Sequence, residues 1–171
     1  MWLQCVRHDF VETHGLRFEE GVVHEDIIWS LGLALCARRI GFAREPFYGY
    51  RRNPRSITNS PSPAAVACRA AGYLRVVEVL VSAALDPGAG RGFRKLLLRQ
   101  AKREGGNLMH VLRKRMHDPE SRRRFARQFL DAGYLRMMLE GAANARELWR
   151  AVRCGRVYSR FATSAAHTLT D

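Results

Sequence analysis

The sequence predicts a small α/β segment followed by a mainly α-helical extension, a chain predominantly helical overall. Three features carry that expectation. After residue 60, apolar residues recur at three-and-four spacing in nearly every stretch, as helices with one buried face require. Residues 42–52 instead gather aromatics around Pro46 and Gly49, which suits an edge or bent strand rather than a central one. The charge divides at the same place. Residues 1–60 hold 8 Lys and Arg against 7 Asp and Glu, whereas residues 61–171 hold 21 against 9, so the net charge of +13 belongs almost wholly to the helical part. The organisation read from this is one unit over 1–60, a basic helical extension over 61–158, and a disordered, patternless tail over 159–171.

Taken in order, Trp2 to His14 reads as a short helix with Cys5, Val6, Phe10 and Val11 on one face, ended by Gly15. Leu16 to Phe18 is read as extended and Glu19-Glu20-Gly21 as a turn. From Asp26 to about Arg38 the pattern is apolar on nearly every side, with Ile27, Ile28, Trp29, Leu31, Leu33 and Leu35, and a helix of that kind must be surrounded by a larger body. Phe42 to Arg52 is the expected strand. Ser62 can cap a helix that has Pro63 in its first position and runs to about Ala84, with Val66, Ala70, Tyr73, Leu74, Val77, Leu80, Val81 and Ala84 on one face. Asp86-Pro87-Gly88 breaks it. Phe93 to Met116 carries Phe93, Leu97, Ala101, Leu108 and Leu112 on a second stripe, with Gly105-Gly106 a candidate split. Asp118-Pro119 starts a helix to about Asp131, and a last helix spans Tyr134 to Val152, its face including Trp149 and Val152.

Composition bounds the function classes. A 47% apolar content is ordinary for a globular protein. No run of about 18 uncharged apolar residues exists to span a bilayer, and the start MWLQCVRHDF lacks a secretory layout, so a cytoplasmic location is expected. Cys5, Cys36, Cys68 and Cys154 show no C-x-x-C spacing, which argues against a zinc site or redox dithiol. Cys36 and Cys68 are read as small core residues. Arg outnumbers Lys 26 to 3, a ratio that either a preference for phosphate or codon bias would give. There is no phosphate-loop or dinucleotide fingerprint. Adjacent side chains diverge, so His24-Glu25-Asp26 is a poor metal group.

Glu25-Asp26, at the mouth of the apolar helix, is the strongest chemical candidate. Acidic residues there are favoured by the helix dipole alone. A carboxylate fixed in that position can also take a proton from an attacking hydroxyl. Beyond the helix, Tyr48, Tyr50, Arg51, Arg52, Arg55, Ser56 and Thr58 form a Tyr-Arg-rich loop whose guanidiniums and hydroxyls can hold phosphate oxygens. Such a loop is also read as solvated, and the two tyrosines as packing residues.

The order F-x-E-G-x-x-x-E-D over Phe18 to Asp26, an apolar helix, E-P-F-Y-x-Y-R over Glu45 to Arg51, and Ser56-Ile57-Thr58 resembles the C-terminal half of a family 2 bacterial glycosyltransferase of the GT-A type, of the kind that builds capsule, exopolysaccharide and lipopolysaccharide. Arg7-x-x-Phe10 fits the helix preceding that motif. The resemblance covers roughly residues 2–60. It implies that residues 1–60 are the α/β remnant of a GT-A nucleotide-sugar fold, that Asp26 is the catalytic base with Glu25 its supporting neighbour, and that the loop closes over donor and acceptor. It further implies a nucleotide-sugar donor, a glycan or glycolipid acceptor, inversion at the anomeric carbon, and a divalent cation, Mg or Mn, held by an Asp-x-Asp motif. That motif is absent, the nearest spacing being Asp118-Pro119-Glu120 at a helix start. The chain is accordingly read as a truncated enzyme rather than a degenerate remnant, inactive alone.

The alternative is a non-catalytic basic helical module. Lys95, Arg99, Lys102, Arg103, Arg113-Lys114-Arg115 and Arg122-Arg123-Arg124 can form a solvated surface, a face for an anionic membrane at the inner leaflet, or a protein-binding face. A nucleic-acid face is disfavoured by the lack of interleaved aromatics.

Overall fold

Two capped helix starts, both legible in the sequence, set the frame. The Ser62 hydroxyl accepts a hydrogen bond from the Ala65 N–H at 3.3 Å with Pro63 following it. The Asp118 carboxylate accepts from the Ser121 N–H at 2.9 Å ahead of Pro119. The computed structural model describes residues 4–46, 48–49, 51 and 60–163. These contain seven helices: α1 (His8–Thr13), α2 (Glu25–Cys36), α3 (Pro63–Leu85), α4 (Arg91–Lys114), α5 (Pro119–Asp131), α6 (Tyr134–Glu140) and α7 (Ala145–Thr163). The molecule is predominantly helical. None of these helices is long and apolar enough to cross a membrane.

The centre is a hairpin of α3 and α4, turned at Asp86, whose carboxylate accepts from the Gly88 N–H at 2.7 Å. Val66, Ala70, Val77, Leu80, Val81 and Ala84 of α3 meet Leu97, Ala101, Leu108 and Leu112 of α4, all buried, so both predicted stripes form the core. Helices α6 and α7 pack on α4, and α5 packs on α7, α6 and α3. Gly105-Gly106 does not split α4. A Cβ at Gly105 would stand 2.9 Å from Met138 Sδ and 3.1 Å from Phe129 Cζ, so the glycine marks the close approach of α5 and α6. Tyr158 of α7, fully buried, stacks on Phe129 with ring centroids 4.2 Å apart and donates its hydroxyl to the Gly105 carbonyl at 2.8 Å. That bond satisfies the one polar atom the ring brings inside.

Several expectations are corrected. Of the strand expected over Phe42 to Arg52, the described residues 42–46, 48–49 and 51 are irregular, and no strand occurs among the described residues to pair with one. The described part of 1–60 thus holds two helices. The helix expected over Trp2 to His14 is confined to His8–Thr13 where it is described. Helix α2, apolar all round, is not surrounded. It lies as a single layer on α3, with Ile27 and Ile28 against the core and Leu31 its one buried residue, while Leu35 is 56% exposed. Cys68 is exposed on α3 rather than in the core, and Cys36 is half-buried.

The helix expected over Tyr134–Val152 is two helices. Gly141 lies so near Leu98 that a Cβ would stand 2.5 Å from its carbonyl oxygen, and Asn144 opens α7 by accepting from the Glu147 N–H at 2.9 Å. The break resets the phase. Helix α7 buries Ala151, Gly155, Tyr158 and Ala162, leaving Trp149 and Val152 exposed, and it continues past Ser159 to Thr163. The rest of the expected tail, 164–171, lies outside the described residues.

Candidate functional site

The acidic pair is delivered to the start of α2 by a lead-in pinned to α3. Glu19 accepts from Arg75 Nε at 2.7 Å and from Nη2 at 3.3 Å, and Phe18 stacks on Trp29 at 5.0 Å. The Val23 carbonyl rests directly on Gly72, where no side chain would fit. His24, preceding the helix, has φ of 72°, a left-handed conformation rare for a non-glycine residue. Its ring stacks on Tyr73 at 4.0 Å, and its buried Nε2 finds no hydrogen-bond partner among the described residues. Burial pushes the His24 pKa below its ordinary value, against the opposing charges of Asp26, Glu104 and Glu25, so the ring is neutral at neutral pH.

Behind His24 lies a polar group inside the bundle. Glu104 of α4 is only 3% exposed and accepts from Gln100 Nε2 at 2.6 Å and Asn107 Nδ2 at 2.8 Å. Arg69, also buried, donates to the Ser60 carbonyl at 2.8 Å. Burial, with Glu104 adding to it, raises the Tyr73 pKa.

Glu25 and Asp26 are half-buried in the first turn of α2, and neither carboxylate is ion-paired or hydrogen-bonded among the described residues. A half-buried carboxylate on so firmly anchored a turn can accept a proton from a hydroxyl. Of the loop residues, Tyr48 and Arg51 are exposed. Tyr50, Arg52, Arg55, Ser56 and Thr58 lie outside the described residues. Among the described residues no three His, Cys, Asp or Glu side chains converge as a metal would need, and His24-Glu25-Asp26 is not such a set.

Comparisons with protein-family models, curated proteins and solved structures found no match. The reading of the site thus rests on its residues and their geometry.

A second concavity, sharing no lining residue with the acidic pair, was not foreseen. It is a groove of about 760 Å³ between α4 and α7. Arg99, Lys102, Arg103 and Arg113 come from α4 and Arg150 and Arg153 from α7, with Glu147 the single carboxylate. The spacing of the α4 cations was visible in the sequence. Their convergence with Arg150 and Arg153 was hidden by the unrecognised start of α7, although Asn144 followed three residues later by Glu147 is a capping-box pattern.

Proposed function

We propose that this chain is the C-terminal, acceptor-activating part of an inverting glycosyltransferase that uses a nucleotide-sugar donor in cell-surface polysaccharide or glycolipid synthesis, working in the cytoplasm. The observation that supports it best is the Asp26 carboxylate, held at the start of α2 and neither ion-paired nor hydrogen-bonded among the described residues. In this reading Asp26 takes the proton of the acceptor hydroxyl as its oxygen bonds to the anomeric carbon. The bond from that carbon to the donor phosphate breaks on the opposite face, and the nucleoside diphosphate leaves with the electron pair. Glu25 supports Asp26. Tyr48 and Tyr50 pack the sugar, and Arg51, Arg52, Arg55, Ser56 and Thr58 hold the diphosphate. A divalent cation, held by residues outside this chain, would neutralise charge on the leaving group. Exposed Leu35, Ile40 and Phe42 beside α2 supply the apolar surface that an adjoining donor-binding domain would cover.

The test joins the chain in frame to the segment encoded immediately upstream and follows nucleotide release from sugar donors. Transfer dependent on a divalent metal is expected. Asp26→Asn should lower it by about 10²–10⁴-fold with the helical circular dichroism unchanged. Near-wild-type transfer by that variant would remove Asp26 from the mechanism, and nucleotide release by the isolated chain would overturn the assignment of the donor site to another segment.

A further inference from the structure

The groove between α4 and α7 has a charge pattern that the acidic-pair chemistry does not use. Arg99 and Lys102 are both engaged by Glu147, which leaves Arg103, Arg113, Arg150 and Arg153 exposed and without an ion pair among the described residues. Arg113 of α4 and Arg153 of α7 line the groove together with Cys154, so the two helices bring guanidiniums to the same concavity. Beside the cations the lining holds the apolar Met109, Ala151, Cys154 and Val157 together with the amides of Gln100 and Asn107. Leu96 in the lining is 63% exposed, and Trp149, 57% exposed, stands next to the groove, with the guanidinium of the lining residue Arg153 4.7 Å above its indole.

We propose that this groove docks the protein on an anionic membrane surface by taking a phospholipid phosphate between the α4 and α7 arginines. Guanidiniums supply the planar forks that phosphate oxygens match. The apolar part of the lining suits the glycerol and upper acyl carbons, and Trp149 with Leu96 is a side-chain pair that settles at a headgroup interface. Nucleic acid fits less well. The lining contains no aromatic ring on which a base could stack, and the face of Trp149 is occupied by Arg153. The inference does not depend on the role of Asp26.

Co-sedimentation of the full chain with phosphatidylglycerol–phosphatidylcholine vesicles, set against pure phosphatidylcholine, tests it. Binding is expected only with the anionic lipid, weakening as salt rises. The exposed double variant Arg150→Gln with Arg153→Gln should lower the partition coefficient about thirty-fold. Arg38→Gln with Arg39→Gln, which removes equal charge from exposed positions beyond α2, should change it little. Tryptophan emission should shift to the blue on the vesicles, and Trp149→Phe should abolish most of that shift. Equal losses in the two double variants would reduce the binding to diffuse charge and overturn the site. So would the absence of binding to the anionic vesicles, full displacement by inorganic phosphate, or tighter binding to a single-stranded RNA oligomer than to lipid.

Discussion

His24 sits where a glycine or asparagine would be at ease, and what holds it in a left-handed conformation is the Tyr73 ring beneath it. The imidazole is half-buried, and charging it there would cost the hydration of the cation. Because the folded pKa lies below the ordinary 6.5, the unfolded chain binds the proton more readily, and the stability contributed by neutral His24 is complete above 6.5 and lost as the pH falls through the folded value. Asn tolerates the same backbone, so His24→Asn should keep the fold, cost about 0.5–1 kcal/mol of stacking at neutral pH, and remove part of the acid-side fall. Urea midpoints of the two proteins, followed from above pH 6.5 downward into acid, should converge. Parallel curves would mean that His24 titrates alike in both states. The same residue positions the acidic pair next to it, so its backbone strain belongs to the candidate site.

At the scale of elements, α2 packs chiefly on α3 among the described helices, and the contact turns on Gly72. With no Cβ there, the Val23 carbonyl settles onto the α3 backbone and carries His24, Glu25 and Asp26 with it. Gly72→Ala drives a methyl into that carbonyl, backbone against backbone, where neither side can rotate away. A cost of about 1–3 kcal/mol is expected, concentrated locally. Hydrogen exchange should accelerate across Glu25–Cys36 while α4 to α7 keep their protection. Uniform acceleration would show that α2 and the bundle open together. The same elements show why some of the fold was legible and some was not. Ser62-Pro63, Asp118-Pro119 and the stripes of α3 and α4 are local signals, and tertiary packing agrees with each. The split at Gly141 and the unbroken course of α4 through Gly105-Gly106 were decided by which glycine another helix approaches, and that is not written in the neighbouring residues. For the site, the sequence identified Glu25-Asp26. It gave no sign that Arg75, Gly72 and Tyr73, about fifty residues away, would anchor the pair.

Across the whole molecule, 29 basic residues against 16 acidic ones leave the helices under mutual repulsion, and the few carboxylates act as cross-links between segments distant in sequence. Glu19 joins the α2 lead-in to α3 through Arg75. Glu140 at the end of α6 reaches Arg94 of α4 at 3.3 Å. Glu147 of α7 draws in Lys102 and, at 3.4 Å, Arg99 of α4. The Lys102 hydrogen bond, with the Ala143 N–H assisting, holds the Glu147 carboxyl well below its ordinary 4.5, at about 2. A carboxyl depressed in this way contributes stability that is present above the unfolded value and lost as the pH falls through the folded one, so the window runs from about 4.5 down to about 2. Glu147→Gln should lower the thermal midpoint at neutral pH, more so at low salt, because it frees Arg99 and Lys102 to repel the other groove cations. The gap to the wild type should close through that acid window. A gap that persists at its lower end would mean that Glu147 holds α7 to α4 by shape rather than by charge, and the arginines of the groove would then need another explanation for their close array.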